Sequence, residues 1–177
     1  MGLAPCGRAA HGAWPPAGVR RKNVQDGAGR GREDAAAMGV TDFPTKIAVV
    51  VRDDLATWQR LNVTAFLISG ITASGDETTV GPDYEDADGV RYLPMLRQPV
   101  LVFEAGADKL KTVHRRALER DADVAIYTSE LFATGHDDDN RAAVRAVRTA
   151  DLDLVGVAIR APHKQADQTL RGLQRHP

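Results

Sequence analysis

The stretch from Lys46 to Ile71 constrains the fold of this chain more than any other, because it joins a buried strand directly to a helix. Residues 47–51 form an unbroken apolar and mostly β-branched run, which predicts a strand buried on both faces. Charged residues follow this strand, and a helical pattern begins near Trp58 with the polar Asn62 in its first turns. Open α/β sheets bind ligands beyond the carboxyl ends of their strands, so the sequence predicts a site here.

The rest of the chain alternates between apolar runs and helical patterns. Residues 100–103, 124–127 and 154–159 predict strands, and residues 108–120 and 138–149 predict amphipathic helices. Such alternation is typical of crossover connections and predicts a largely parallel sheet. Residues 154–159 show almost no polar alternation, which predicts a central strand.

Two segments depart from this alternation. Asp88-Gly89 is a strong hairpin signal and predicts a turn between strands at residues 79–84 and 90–93. Residues 170–174 fit either a last helical turn or an edge strand, and the pattern does not choose between them.

The amino-terminal segment has a different composition from the rest. Residues 1–37 are rich in Gly, Ala and Arg and have no apolar periodicity. We expect a disordered leader over residues 1–43, with Met38 as an alternative start, and one α/β domain over residues 44–177.

Composition excludes several kinds of site. The only cysteine, Cys6, lies in the leader, so we expect no disulfide and no Cys-ligated metal in the domain. No nucleotide-binding or metal motif occurs after the leader, and we expect no cofactor and no metal. Acids outnumber bases there, which argues against a nucleic-acid partner. No apolar run reaches membrane-spanning length, and we expect a cytoplasmic protein without a membrane partner.

The first predicted helix, residues 58–71, is apolar on two sides. One stripe holds Val63, Leu67 and Ile71, and another holds Leu61, Ala65 and Ile68. One stripe can face the sheet, and the other must face a second element or a second subunit. The pattern therefore fits either a homodimer through this helix or cover by a second element of the same chain, and it does not choose between them.

Several strings resemble a known superfamily. The run Lys46-Ile-Ala-Val-Val-Val-Arg-Asp-Asp-Leu55 is similar to the opening strand and Arg-x-Asp-Leu motif of type II peptidyl-tRNA hydrolases, and Val157-Ala-Ile-Arg-Ala-Pro162 resembles their closing strand. Residues 61–65 and 131–136 resemble an uncharacterised bacterial family assigned to that fold. The resemblance covers about residues 45–177. It implies a three-layer α/β/α domain around a four-stranded mixed sheet.

The chain departs from the hydrolases just after the opening strand. There the hydrolases carry a Gly-Lys-Gly-Lys segment whose lysines bind or activate the substrate. Residues 56–62 of this chain contain only Arg60 as a cation, and we expect Trp58 and Leu61 to compete with it for the inward positions. We therefore expect no efficient hydrolysis of peptidyl-tRNA.

Two residues are candidates for catalysis. Asn62 lies in an apolar helix, and its amide suits a substrate carbonyl; the alternative is that it bonds the backbone of a neighbouring loop. Asp54 lies just past the strand, where it could act as a general base. The alternative for Asp54 is a turn or cap residue.

Four further residues are candidates for binding. Arg52 could bind an anion, or pair with an acid at the sheet edge. Thr64 belongs to the same string as Asn62, and Thr134 and His136 stand before a run of acids. The alternative for this last group is helix capping, since acids in a first turn suit the helix dipole.

Two functions follow from these residues. The first is a binding module that holds a small molecule or peptide near Asn62. The second is a hydrolase, acting on peptidyl-tRNA or another acyl ester, that uses Asp54 with Asn62, Thr134 or His136.

Overall fold

The computed structural model describes residues 43–175, and the predicted leader lies outside the described residues apart from residue 43. The elements follow one another as β1 Thr45–Arg52, α1 Thr57–Ala73, β2 Tyr84–Glu85, β3 Arg91–Tyr92, β4 Val100–Ala105, α2 Ala107–Leu118, β5 Asp123–Thr128, a 3-10 helix Ser129–Phe132, α3 Asp137–Arg145, a 3-10 helix Thr149–Asp151, β6 Leu154–Pro162, α4 His163–Thr169 and β7 Gln174–Arg175.

Four long strands form a mixed sheet in the order β5-β6-β1-β4, and the two-residue strand β7 joins at the edge beside β4. The expectation of four strands in a mixed sheet is confirmed. β6 is an inner strand, as its continuous apolar run predicts, with all six residues from Leu154 to Ile159 buried.

The expectation of a largely parallel sheet is wrong. β1 and β4 are parallel, whereas β6 runs antiparallel to both of its neighbours. The connection between β5 and β6 explains the direction of β6. This connection begins and ends at the same end of the sheet, where the Ser129 amide donates to the Asp153 carbonyl at 2.9 Å. α3 belongs to this return and is therefore not a crossover helix.

Helices cover both faces of the sheet. Val63, Leu67 and Ile71 of α1 are buried against one face, which carries Ile47 and Val49 of β1. The opposite face packs against α2 and α4, in a core made of alternate β1 residues and the buried side of α2: Ala48, Val50, Leu110, Val113 and Ala117. Each large side chain buried in this way contributes roughly 1.5–3 kcal/mol to folding.

A glycine lets α1 lie close to the sheet. A Cβ atom built on Gly156 of β6 would lie 2.4 Å from Val63 Cγ1 and 2.9 Å from Leu67 Cδ1. Real Cβ atoms do not approach so closely, so the position of α1 depends on the missing side chain.

The hairpin is present with shorter strands than predicted. Gly89 has a φ of +79° in the turn, and β2 and β3 pair Tyr84 with Tyr92. Val80 and Leu96 form a separate antiparallel bridge farther from the turn. Pro82 and Pro94 lie between these two pairings, and proline has no amide hydrogen to donate to a ladder.

Of the two alternatives predicted for residues 170–174, the structure shows the edge strand, which begins at Gln174. α4 ends at Thr169, and β7 then pairs antiparallel with Phe103 and Glu104 of β4. Within residues 43–175, no helix is both long and apolar enough to cross a membrane.

Candidate functional site

The carboxyl ends of β1, β4 and β5 meet at one edge of the sheet, where Arg52 forms a double ion pair. Its Nε atom donates to Asp54 Oδ1 at 2.7 Å, and its Nη1 atom donates to Asp153 Oδ1 at 2.7 Å. Partial burial opposes the charged guanidinium, but hydrogen bonds and attraction from both acids raise the pKa of Arg52. Of its two predicted roles, Arg52 therefore takes that of pairing with acids at the sheet edge.

Asp54 has the geometry of a structural ion pair. Its side chain is 62% exposed, and its hydrogen bond is the one from Arg52. Among residues 43–175, no hydrogen bond or ion pair connects Asp54 to Asn62, Thr134 or His136. A general base needs a reacting proton within reach, and the structure assembles no partner for Asp54 in that role.

Arg60 turns inward, whereas its neighbours turn outward. Its guanidinium donates to the Asp53 carbonyl at 2.7 Å and the Leu55 carbonyl at 3.0 Å, and it pairs with Glu104. Trp58 and Leu61 are 62% and 67% exposed, so the expectation that they take the inward positions is wrong. The helical repeat explains this orientation. Arg60 lies three residues before Val63 and seven before Leu67, so it is on the helix face that packs on the sheet.

A polar cavity of about 620 Å³ lies between the ends of β1 and β4 and the start of α2. Sequence reasoning missed it, although the rule that located the β1 site applies equally to the end of β4. Its lining includes Asp53, Glu104, Gly106, Asp108 and Lys109.

Asn62 stands in an exposed row of α1. Trp58, Asn62 and Phe66 are four residues apart and therefore lie on one side of the helix. Asn62 is half-buried, and its Oδ1 atom accepts a hydrogen bond from the Tyr127 hydroxyl at 3.4 Å. Its partner is thus a side chain of β5 and not the backbone of a loop. The Asn62 amide NH₂ donates to no group within residues 43–175.

Aromatic rings surround this asparagine. Trp58 packs edge-on against Phe132 at 5.8 Å between ring centroids, and Phe66 packs edge-on against Tyr127 at 5.9 Å. Tyr127 and Phe132 contact each other at 5.1 Å, which closes the chain of rings. Burial raises the pKa of Tyr127 and keeps its hydroxyl protonated as a donor. We name Trp58, Asn62, Phe66, Tyr127 and Phe132 the aromatic row.

The remaining candidates serve local structure. The Thr64 hydroxyl donates to the Arg60 carbonyl at 2.8 Å within α1. The Thr134 hydroxyl donates to the Leu131 carbonyl at 3.1 Å and bonds Asn140. His136 is exposed at the start of α3, where its carbonyl accepts from the Asn140 amide at 3.1 Å. Three acids follow in the first turn, where their negative charges interact favourably with the helix dipole.

No group of three or more potential metal-binding His, Cys, Asp or Glu side chains occurs in the part of the chain that the structure describes. The cluster that begins at His136 starts α3, with Asp137 paired to Arg141 in the next turn.

A family profile described as "Protein of unknown function (DUF2000)" matches residues 45–177. The chain belongs to the DUF2000 family. A solved structure of a protein of unknown function from Agrobacterium tumefaciens strain C58 is 44% identical in sequence to this DUF2000 chain, with a TM-score of 0.74. The match covers 76% of this chain and 99% of the other.

The DUF2000 chain has no detectable similarity to a functionally curated protein. The expected membership of an uncharacterised family is confirmed, and neither comparison connects the chain to peptidyl-tRNA hydrolases. The resemblance to those enzymes stays a prediction.

Proposed function

We propose that this DUF2000 domain binds a small molecule or peptide at the aromatic row, with Asn62 as its polar anchor. The observation that carries the proposal is the Asn62 NH₂ group, which donates no hydrogen bond within residues 43–175 and lies between two exposed rings, Trp58 and Phe66. Ligand sites typically combine apolar walls with a few placed polar groups. This arrangement fits that description.

The geometry defines the chemistry of the ligand. The Asn62 carbonyl oxygen already accepts from Tyr127 with one of its two lone pairs, whereas both hydrogens of the NH₂ group are unused, so the amide offers mainly donors. A carbonyl or carboxylate oxygen would accept from it, and an apolar group beside that oxygen would contact Trp58 and Phe66. Peptide backbones with an apolar side chain carry both features, as do small apolar acids and amides.

Binding can be tested with Trp58 as the reporter. Two tryptophans occur in the chain, Trp14 and Trp58, so a Trp14→Phe background isolates the fluorescence of the aromatic row. Compounds and peptides that raise the melting temperature would be titrated against this signal. Asn62→Asp keeps the oxygen that accepts from Tyr127 but removes the donor, and should weaken binding by about tenfold or more.

Asn140→Asp makes the same chemical change in α3, where the Asn140 side chain bonds Thr134 and no residue of the aromatic row, and serves as the matched control. Binding that survives Asn62→Asp, or a screen in which no hit changes the Trp58 signal, would overturn the proposal.

We propose a second copy of the chain as a partner on the neighbouring side of α1. Leu61 is 67% exposed and Ala65 is exposed, so these two residues of the second apolar stripe have no cover within residues 43–175, whereas Ile68 packs against the core. This stripe adjoins the aromatic row without including Asn62.

The hydrolase alternative has weaker support. The resemblance to type II peptidyl-tRNA hydrolases is an analogy of motifs, and fold does not imply function. Arg60 is the only cation in residues 56–62, where those enzymes carry lysines, and it is bound to Glu104 and two backbone carbonyls. Asp54 is held by Arg52, so neither group is directed at a common substrate.

A further inference from the structure

Exposed hydrophobic side chains concentrate on two surfaces of the described domain. Nine large ones within residues 43–175 are about half exposed or more, and three of these lie on α1. Five more lie on the hairpin between residues 79 and 96, which we name the arm: Tyr84, Val90, Tyr92, Leu93 and Met95. Scattered exposure would need no explanation, but such concentration marks an interaction surface.

The outer side of α1 is uncharged. In 17 residues, Thr57–Ala73, the helix has one charged side chain, Arg60, which turns back to the strand ends. A helix that faces water on one side normally carries charged residues there. The composition of α1 instead suits a helix that is covered.

The arm is attached on the same side of the sheet as α1. It leaves the carboxyl end of the helix, and Leu96 at its base packs against the α1-side core. Thr79, at the start of the arm and also at its base, accepts a hydrogen bond from Arg160 Nη1 at 3.1 Å through its hydroxyl. The two apolar surfaces therefore belong to one side of the domain.

We infer that the arm of one subunit covers the α1 helix of a second copy, in a two-fold dimer with the two α1 helices antiparallel. Ala65 is the middle residue of α1 and is exposed and small, so the helices can cross closely there. An antiparallel crossing brings the carboxyl end of one helix, where the arm begins, beside the Trp58 end of its partner. This inference rests on the self-association part of the proposed function and adds the arm to it.

The apolar area suits such a dimer. Leu61 and the five side chains of the arm expose on the order of 100 Å² each, or roughly 600 Å² per subunit. Both subunits together would bury about 1,200 Å², which is the lower end of the range for specific interfaces. A symmetric dimer buries Leu61 and the arm of both chains in one interface.

Sedimentation velocity of the full chain tests the inference. The wild type should sediment with twice the mass of the 19.1 kDa chain. Leu61→Glu and Leu93→Glu should each raise the dimer dissociation constant by about tenfold or more, as expected for a charge in an apolar interface. Leu118→Glu is the matched control, because Leu118 is the ninth exposed hydrophobe and lies on α2.

Cross-linking tests the antiparallel geometry in a Cys6→Ser background, which removes the only cysteine. Ala65→Cys should form a disulfide between subunits. Ala73→Cys should not, although Ala73 is equally an exposed alanine of α1. Antiparallel helices place the two Ala73 positions about 24 Å apart, from eight residues of 1.5 Å on each side of the crossing.

The outcomes separate the two proposals. A wild-type monomer at about 100 µM, where even weak interfaces associate, would overturn both the arm contact and self-association through α1. A dimer weakened by Leu61→Glu but not by Leu93→Glu would overturn only the arm contact. A dimer that withstands both substitutions and does not cross-link at Ala65 would show a different interface and overturn both. Ligand binding at Asn62 is measured separately, so its failure and the failure of the dimer are distinguishable.

Discussion

The Nη1 atom of Arg52 lies 2.7 Å from Oδ1 of Asp153, and this ion pair ties the end of β1 to the start of β6. A hydrogen bond from the Ser129 hydroxyl and the attraction of Arg52 together lower the pKa of Asp153 from its ordinary value of 3.8. The same edge thus joins three segments, because Ser129 follows β5.

This pair predicts a loss of stability in acid. The carboxyl of Asp153 binds its proton less readily in the folded chain than in the unfolded chain, so its contribution is present above pH 3.8. The contribution is lost as pH falls through the lower, folded pKa. The difference in unfolding free energy between wild type and Asp153→Asn, measured with urea, should therefore shrink from pH 7 to pH values well below 3.8.

Asp151→Asn is the control for that measurement, since Asp151 is exposed in the preceding 3-10 helix. An Asp153→Asn variant that differs from wild type by the same amount at every pH would refute the prediction.

Gly156→Ala should destabilise the domain by about 1–3 kcal/mol, as overpacking does. The new methyl group would overlap Val63 Cγ1 and Leu67 Cδ1. Chemical unfolding would measure the change. Val63→Ala in the same chain should restore part of the loss, because it removes the atom that the methyl overlaps.

Gly135→Ala provides the comparison for Gly156→Ala. Nothing lies within 4 Å of a Cβ at Gly135, so this variant should stay within about 0.5 kcal/mol of wild type. Equal effects at both glycines would mean that backbone freedom, and not the close approach of α1, determines the cost.

The chain should not hydrolyse peptidyl-tRNA at a useful rate. Arg60 is the only cation between Ala56 and Asn62, and its guanidinium is bound to Glu104 and to backbone carbonyls. A positioned catalytic or electrostatic group typically contributes about 10²- to 10³-fold in rate. Turnover at low salt would be compared with that of a type II hydrolase.

Activity within about tenfold of that enzyme would contradict this expectation if Asp54→Ala abolished it, because such a rate exceeds the loss expected without the lysines. Asp53→Ala would be the control, since Asp53 is the adjacent exposed acid and contacts Arg60 through its carbonyl.

Asp86→Ala should loosen the arm without unfolding the domain. The Asp86 carboxylate accepts from the Tyr92 hydroxyl at 2.7 Å and from the Val90 amide at 2.9 Å, and these bonds lower its pKa. Hydrogen exchange at Val90 should accelerate, while exchange in β1 stays slow. Asp83→Ala, at another exposed acid of the arm, should leave the exchange at Val90 unchanged.

The strands could be predicted from the sequence far better than their directions. A run such as Ile47–Val51 is apolar because both faces are covered, and that burial is the same for parallel and antiparallel neighbours. The direction of β6 depends on the return at Ser129 and Asp153, which is a contact between distant parts of the fold. The alternation of strands and helices does not contain this information.

The candidate site, too, could be predicted from the sequence only in part. Asn62 was identifiable because a polar residue interrupts an apolar helix, and the stripe of Val63, Leu67 and Ile71 correctly separates from that of Leu61. Tyr127 and Phe132 were not identifiable, because their role comes from the packing of β5 beside α1. The inward position of Arg60 was not identifiable for a similar reason, since its partners, the Asp53 carbonyl and the Glu104 side chain, lie at the ends of two strands.

The close approach at Gly156 also bears on how sequences in this family can diverge. Because the α1 helix rests on the bare backbone there, a larger residue at this position requires a smaller one at Val63 or Leu67, or a shifted helix. A shifted helix would carry Trp58 and Phe66 with it and change the spacing to Tyr127. Under the proposed function, co-varying substitutions at these three core positions should therefore accompany differences in what the aromatic row binds, even where every residue of that row is the same.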